Sequence, residues 1–380
     1  MAEPLKLFFD RERVTMIGAA LRAVEPSFAE AQFVAEASSG LADLELMGRG
    51  RHVMEAMQRA LTQDPERALP QDPERALDVI VRSLGVPFAG EERGSMAPFV
   101  LLPHAMFVGT HGLLHHEASM RAIHAITQRF TGEWCIRPFL EREPERTFAV
   151  LTGWARDPSH HVRRLVSEGT RPRLPWAPRV RALVLDPTPG LALLDMLRDD
   201  DSEYVRRSVA NHLNDVGRDH PERLVGLAGE WMREASTARA ALVRHALRSL
   251  VKKGDAAALR VLGFGGSGGR ALTATVAVTP RRPRIGDRIR IEAEVQNPGA
   301  RRARAVVDFV IHFVKSRGET SPRVFKGREV DVAGGERVAL GKTVTVADLS
   351  TRTHHPGDHQ VDLVIDGAVR ATARFDLRPS

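Results

Sequence analysis

The spacing of apolar residues divides the chain into two parts. Up to about residue 260, apolar residues recur every three or four positions, as they do at Val205, Val209, Leu213 and Val216, while strict alternation is scarce. This spacing places the apolar residues of a segment on one face of a helix. It predicts that the first 260 residues are helical.

Beyond residue 271, short β-branched runs alternate apolar and polar residues and end at turn signals such as Asp366-Gly367. They predict about seven short strands in a β-sandwich that resembles the immunoglobulin-like fold, with runs at 273–278, 288–295, 305–313, 338–346, 359–365 and 369–377. Between the two parts, GFGGSGG at 263–269 has the composition of a flexible linker. We therefore predict a helical domain at 1–262, a linker at 263–270 and a sandwich at 271–380.

An internal repeat organises the helical part. The sequence DPSHHVRRLV at 157–166 matches DDSEYVRRSV at 200–209, an offset of 43 residues. This period is typical of the helix pairs in HEAT-like solenoids. Ser159 and Ser202 are predicted N-caps, the valines are predicted to be buried, and the paired arginines are expected to line a concave groove. The predicted fold class is an all-α HEAT-like repeat solenoid followed by an immunoglobulin-like β-sandwich.

A second repetition is of a different kind. QDPERALP at 63–70 is followed directly by QDPERAL at 71–77, and an eight-residue period with prolines suits no helical repeat. We interpret it as a tandem duplication that lengthens an exposed loop between helices.

Composition narrows the class of protein. The 380 residues are 43% hydrophobic and 27% charged, which is typical of a folded globular chain. A single cysteine excludes an internal disulfide and argues against a zinc or iron-sulfur site. The N-terminus lacks the pattern of a leader peptide, and the most apolar stretch, 97–109, is short and contains His104. We expect a cytoplasmic protein without a membrane span.

The excess of positive over negative side chains lies entirely in the last 230 residues. The formal charge is +7 overall, and it divides into −5 over 1–150, +6 over 151–270 and +6 over 271–380. Arginine supplies most of the excess, and its planar guanidinium suits bidentate contact with phosphate. The charge favours a polyanionic partner, although solvated arginines in an arginine-rich proteome would give the same count.

Common catalytic motifs are missing from the sequence. It contains no phosphate loop and no HExxH, and no dinucleotide-binding glycine fingerprint or serine nucleophile elbow between a predicted strand and a predicted helix. His111, His115, His116 and Glu117 imitate a metal cluster, but a helix end whose histidines are held by hydrogen bonds is the favoured interpretation. We predict neither a metal nor a cofactor.

Carboxylates embedded among arginines form the more informative pattern. Glu133, Glu168 and Asp215 lie in arginine-rich segments, and the repeat register aligns Glu168 with Asn211, one helical turn before Asp215. We therefore expect Glu168 and Asp215 to share one groove, with Trp176 nearby. A carboxylate weakens phosphate binding, so these residues are either ion-pair partners of arginine or groups that face positive charge in a substrate.

Three long segments resemble the AlkC branch of the HEAT-like-repeat DNA glycosylases, which are relatives of AlkD. They are FTGEWCIRPFL at 130–140, WARDPSHHVRRLVSEGTRPRLPW at 154–176 and EYVRRSVANHLND at 203–215. The resemblance covers roughly residues 5 to 260, and longer members of this branch carry a C-terminal immunoglobulin-like domain. The departures are Trp134 and the duplication near Pro70, and neither removes a site residue.

The resemblance implies a metal-independent enzyme that excises cationic N-alkylated bases, 3-methyladenine and 3-methylcytosine, from DNA without a conventional base-flipping pocket. The catalytic residues it implies are Glu133, Glu168, Asp215 and Trp176. The DNA-binding arginines predicted around them are Arg163, Arg164, Arg171, Arg173, Arg206 and Arg207. We expect a monomeric bacterial protein whose partner is alkylated DNA and which associates with the nucleoid through it.

The residues themselves allow one mechanism and two rivals. A cationic base leaves the sugar without a general acid, so the carboxylates would stabilise an oxocarbenium-like sugar and position the water that traps it. A non-enzymatic scaffold that binds DNA or an acidic protein through the same arginines is the first alternative. A nuclease with Mg²⁺ on the carboxylates is the second.

Overall fold

The computed structural model describes residues 8–62, 73–87, 97–175, 177–266, 269, 271–348 and 353–380. The α-helices in these ranges are α1 (Arg11–Val24), α2 (Glu30–Ser38), α3 (Leu46–Thr62), α4 (Pro73–Arg82), α5 (Leu102–His111), α6 (His116–Thr127), α7 (Arg137–Arg142), α8 (Pro144–Trp154), α9 (His160–Gly169), α10 (Arg181–Leu185), α11 (Thr188–Leu197), α12 (Glu203–Asp219), α13 (Pro221–Met232), α14 (Thr237–Ala246), α15 (Arg248–Lys252) and α16 (Ala256–Val261). The strands are β1 (Thr273–Thr279), β2 (Arg288–Gln296), β3 (Ala303–Val314), β4 (Thr320–Val332), β5 (Arg337–Thr345), β6 (Gly357–Ile365) and β7 (Ala368–Leu377). The predicted order of a helical region followed by a β region is confirmed.

The chain forms two compact units, residues 1–219 and 220–380. Helices α13 to α16 belong to the second unit together with the seven strands. The described residues of the predicted linker also lie in that unit, and the predicted domain bounds stay a prediction.

The two copies of the repeat form equivalent helices that pack together. The first copy forms α9 after the hairpin with α8, and the second forms α12 after α11. The apolar face of α9 (Val162, Leu165, Val166) is buried against that of α12 (Val205, Val209). Apolar burial at helical spacing therefore places the C-terminal end of α9 beside the middle of α12, where Ser208 bonds Glu168.

The start of each repeated helix is fixed by an aspartate rather than by a serine hydroxyl. Ser159 occupies the N-cap of α9, but its side chain makes no capping hydrogen bond. Asp157 Oδ1 instead accepts from the Ser159 amide at 2.8 Å, and Asp200 Oδ1 accepts from the Ser202 amide at 2.9 Å. The predicted N-cap position of Ser159 is confirmed, but the side chain that accepts a hydrogen bond at this turn is the aspartate two residues earlier.

The β region is a sandwich of two antiparallel sheets. One sheet has the order β1-β2-β5 and the other β4-β3-β6-β7. Alternate residues of both sheets, including Ile291, Phe309, Leu363 and Phe375, form one hydrophobic core. The period-two alternation of the sequence thus directs one face of each sheet inward.

Strand β4 is an element that the sequence analysis missed. Its segment contains Pro322 and Gly327 and lacks a β-branched run, and it lies at the edge of its sheet, where such residues are tolerated. Its pairing with β3 shifts register between Val307 and Asp308, where the Gly327 amide donates to Asp308 Oδ1 at 3.1 Å. A Cβ at position 327 would lie 2.2 Å from the Val307 carbonyl oxygen, so the bulge requires glycine.

The tandem duplication is only partly visible. Residues 63–72 lie outside the described residues, whereas Pro73 to Leu77 of the second copy form the first turns of α4. The second copy is therefore largely helical, and its interpretation as loop is wrong, because proline is well accommodated at the first position of a helix. No helix in the described ranges combines the length and the apolar character needed to cross a membrane.

We expect His104 to make the first unit sensitive to acid. Its side chain on α5 is 1% exposed, neither ring nitrogen has a hydrogen-bond partner among the described residues, and burial lowers its pKa to about 4. The unfolded chain takes up a proton near pH 6.5 that the folded chain refuses, so stability falls as the pH drops from about 6.5 to about 4. Between about pH 7.5 and pH 5, His104→Phe should lose about 2 kcal/mol less unfolding free energy than the unsubstituted protein.

Urea unfolding at the two pH values measures this difference. His52→Phe, at a half-buried position on α3, is the matched control and should keep the steep acid dependence. An equally steep loss in His104→Phe would show that other groups set the acid response.

Candidate active site

Five charged side chains of alternating sign form a continuous row in the first unit. The row runs Glu133, Arg164, Glu168, Arg171 and Asp215, and we call it the charge row. Arg164 lies 3.1 Å from Glu133 and 3.7 Å from Glu168, while Arg171 lies 2.6 Å from Glu168 and 2.8 Å from Asp215. All five side chains are less than 20% exposed. The structure thus brings the three predicted carboxylates together through two arginines.

Helix geometry and one glycine position the row. Arg164 and Glu168 are one turn apart on α9, and Asp215 lies on the neighbouring α12. A Cβ at Gly169, the last residue of α9, would lie 2.6 Å from Ile136 Cγ2. The missing side chain therefore lets the end of α9 approach the segment that carries Glu133.

Glu168 is fully engaged and ionised. Arg171 donates to Oε1 at 2.6 Å, and the Ser208 hydroxyl donates to Oε2 at 2.7 Å. Ser208 in turn accepts from the Ser167 hydroxyl at 2.7 Å. Burial by itself would raise the pKa of Glu168, but Arg164, Arg171 and the Ser208 hydrogen bond hold that pKa below its ordinary value.

Asp215 is ionised less readily and keeps one oxygen unused. Burial raises the pKa of Asp215 above its ordinary value, and the positive charges of Arg171 and Arg218 offset this only in part. Arg171 Nε donates to Oδ2, and no donor among the described residues bonds Oδ1. Among the four oxygens of Glu168 and Asp215, Asp215 Oδ1 is therefore the one that can accept a hydrogen bond from a water molecule or face a cation.

Arg164 joins the row to an aromatic side chain. Its guanidinium contacts Glu133 and Thr131 and lies 5.2 Å from the centre of the Tyr204 ring. Burial alone would lower the pKa of Arg164, but the charges of Glu133 and Glu168 raise it. The guanidinium is therefore held in one position between two carboxylates and a ring face.

Arg137 is a buried site residue that the sequence analysis did not assign. It is 4% exposed, and burial lowers its pKa to about 10. Its guanidinium donates to the carbonyls of Gly169 at 2.9 Å, Arg171 at 2.8 Å and Pro178 at 2.6 Å. It thereby fixes the turn that follows α9, and its position within FTGEWCIRPFL was the signal available in the sequence.

The repeated arginines Arg163 and Arg206 have structural partners. Arg163 donates to both oxygens of Asp200, at 2.6 and 2.9 Å, and to the carbonyl of Asp157 at 3.0 Å. Arg206 donates to the carbonyls of Asp200 and Asp201, the equivalent positions of the second copy. Both guanidinium groups close the turn before their own helix, so their predicted contact with phosphate gains no support here.

Two further arginines predicted to bind DNA are paired with carboxylates. Arg173 makes a bidentate pair with Asp219 at 2.7 and 2.8 Å, and the exposed Arg207 pairs with Glu203 at 2.6 Å. Their phosphate contacts stay a prediction. Trp176 lies outside the described residues, so the structure says nothing of its predicted role.

An open cavity of about 890 Å³ adjoins the Glu133 end of the charge row. Its walls are mostly apolar and include Met106, Phe130, Trp134 and Cys135. Burial raises the pKa of the Cys135 thiol to about 12, which leaves the thiol unreactive. The cavity therefore offers apolar surface, rather than a nucleophile, beside Glu133.

The histidine cluster around α6 holds hydrogen bonds. His116 Nε2 lies 3.2 Å from the Thr147 hydroxyl, and His115 Nδ1 lies 3.3 Å from Glu74. Across the described part of the chain, no group of three histidine, cysteine or acidic side chains is arranged to hold a metal ion. The favoured interpretation of these histidines as structural agrees with these contacts.

Comparisons with known proteins relate the chain to one family model, to a curated protein and to a solved structure. Residues 273–379 match the family model described as the C-terminal Ig-like domain of the uncharacterised protein YhaZ. The chain is 36% identical over 271 residues to uncharacterized protein YhaZ of Bacillus subtilis, which covers 71% of this chain and 75% of that protein. It also matches the solved structure of Pseudomonas fluorescens alkylpurine DNA glycosylase AlkC bound to DNA containing an abasic site analog.

The AlkC match extends over almost the whole chain. It has a TM-score of 0.87 and 34% sequence identity and covers 99% of both chains. The repeat segments, the charge row and the immunoglobulin-like region all lie within this range. The chain therefore belongs to the AlkC family.

Proposed function

We propose that this protein is a DNA glycosylase that hydrolyses the N-glycosidic bond of alkylated bases. The buried carboxylates Glu168 and Asp215, both held by Arg171, carry the proposal. The AlkC relative, whose name states that it acts on alkylpurines and whose structure contains DNA, supports it. The finer substrates we propose are 3-methyladenine and 3-methylcytosine.

The chemistry follows from the charge of the damaged base. An N3-alkylated base is cationic, so the electron pair of the breaking glycosidic bond neutralises it and no acid is needed at the leaving group. The sugar becomes oxocarbenium-like as the bond breaks, and fixed negative charge stabilises it. Water then adds to C1′ and gives up a proton. Carboxylates suit both steps.

The two carboxylates are suited to different parts of this reaction. Both oxygens of Glu168 accept hydrogen bonds from the protein, so Glu168 contributes fixed charge and holds Arg171 in place. Asp215 Oδ1 is unused by the described residues and can orient the attacking water and take its proton. Glu133 extends the negative potential along the row through Arg164. The contact of Trp176 with the sugar or the cationic base stays part of the proposal.

The ion pairs also support a second candidate, a scaffold that binds DNA without chemistry. In that case all three carboxylates serve only to neutralise buried arginines. Methylated DNA incubated with the protein in the presence of a chelator separates the two. Free 3-methyladenine and 3-methylcytosine in the chromatogram would establish a metal-independent glycosylase. Salt-dependent binding without base release would leave the scaffold, and release that needs Mg²⁺ would indicate other chemistry.

Removing the charge of either carboxylate should slow base release. Glu168→Gln and Asp215→Asn each delete a negative charge that the transition state needs, and we expect single-turnover rates at least about 100-fold lower. Binding to DNA should persist because no cation is removed. Asp195→Asn removes an exposed charge on α11 that pairs with Arg198, and it should leave the rate unchanged.

The result is interpretable only for folded variants. Because each substitution leaves a buried arginine short of one partner, the thermal midpoint and the affinity for DNA are measured alongside the rate. Full activity in both folded variants would contradict the proposed roles.

The rate should fall in acid as Asp215 takes up a proton. The pKa of Asp215 is raised, so its carboxylate form is lost at a higher pH than for an ordinary aspartate. The exposed Arg218 lowers this pKa by its charge. Arg218→Gln should therefore move the acid limb of the single-turnover rate to higher pH. Arg198→Gln, an equal change of charge at the residue that follows α11, should leave the limb in place. A limb that stays or moves lower in Arg218→Gln would remove Asp215 from the rate-limiting chemistry.

A further inference from the structure

The described arginines around the charge row fall into two classes. Most of them are neutralised, as Arg171 is by two carboxylates and Arg173 is by Asp219. Arg179 and Arg181 differ, because both are exposed and neither has a hydrogen bond or ion pair with a described residue. A cation that is already paired gains little from a phosphate, whereas an unpaired exposed cation gains the whole contact.

The backbone that carries these two arginines is firmly held. Val180 between them is 2% exposed, and Leu183 on the following turn is 3% exposed. The Pro178 carbonyl accepts from Arg137 at 2.6 Å. Because Val180 and Leu183 are buried, the backbone that carries the exposed side chains of Arg179 and Arg181 is fixed. A ligand that binds these two arginines would therefore not have to order the chain.

The same anchor ties the segment to the charge row. Arg137 bonds the Pro178 carbonyl and also the Arg171 carbonyl, and Arg171 bonds Glu168 and Asp215. Arg179 directly follows Pro178, whose carbonyl Arg137 bonds together with the Arg171 carbonyl in the turn after α9. Two hydrogen bonds of Arg137 thus connect this segment to Arg171, the arginine that holds Asp215, and place the segment next to the charge row.

An open concavity of about 570 Å³ marks the place. It is lined by Glu141, Pro178, Arg179, Arg181, Val184 and Leu185. Two guanidinium groups against one carboxylate leave a net positive charge, which suits a phosphodiester backbone.

We propose that Arg179 and Arg181 grip the phosphates of the DNA strand beside the reacting sugar, in place of the paired arginines Arg163, Arg173, Arg206 and Arg207. This inference rests on the proposed function for the identity of the polymer. It assigns the positioning of the lesion to a segment outside the sequence repeat.

The dependence of affinity on salt measures the contacts. The affinity falls with salt, and each lost phosphate contact makes the plot of log K against log salt less steep by about 0.9 between about 50 and 200 mM salt. The full-length Arg179→Gln, Arg181→Gln and double variants are titrated with a fluorescein-labelled duplex that contains an abasic-site analogue. We expect slopes lower in magnitude by about 0.9 for each single variant and by about 1.8 for the double variant.

Two variants with the same change of charge serve as comparison. Arg198→Gln, at the residue that follows α11 and paired with Asp195, should leave the slope unchanged, and Arg207→Gln should change it far less than either single variant. An unchanged slope in the double variant, or a full loss in Arg207→Gln, would overturn the assignment. Base release by the unsubstituted protein is scored separately. If it is absent while the slopes fall as expected, the proposed function fails and the phosphate grip stands.

Discussion

Arg171 is a buried cation that two carboxylates from successive helix pairs neutralise together. Its guanidinium bonds Glu168 at the end of α9 and Asp215 within α12. Removing one partner of such a buried pair typically costs about 3 to 5 kcal/mol, because an uncompensated charge remains in the interior. The placement of both carboxylates, on two helices that pack through their apolar faces, therefore depends on this one residue.

The shared arginine nevertheless leaves the two carboxylates unequal. Glu168 receives charge from two arginines and a hydroxyl hydrogen bond, which overcome its burial. For Asp215 the balance has the opposite sign, and burial exceeds the attraction of Arg171. Proteins commonly separate the roles of two neighbouring acids by placing them in different environments. Here one carboxylate is a fixed charge, and the other retains an oxygen available for water.

The sequence predicted those features whose signal is local or periodic. Apolar spacing predicts the helical and β regions, and the repeat register predicts that Glu168 and Asp215 share one groove. The partners of the arginines could not be predicted, because Arg163 meets Asp200 across 37 residues and only the packing of the helix pairs sets that distance. The burial of Arg137 could not be predicted either, because its partners are carbonyls that lie far away in the sequence. Strand β4 was not predicted because an edge strand can form without a β-branched run and can contain proline.

The buried ion pair between Arg171 and Asp215 also limits which substitutions can accumulate when the activity is lost in evolution. Loss of Asp215 alone would leave Arg171 with a single partner in the interior, so this substitution is penalised by unfolding as well as by loss of chemistry. A descendant that abandons the reaction is therefore expected to replace Arg171 and Asp215 together, with apolar residues that fill the same volume. Paired replacement at these two positions would be the mark of an inactive lineage, whereas isolated replacement of the acid would be rare.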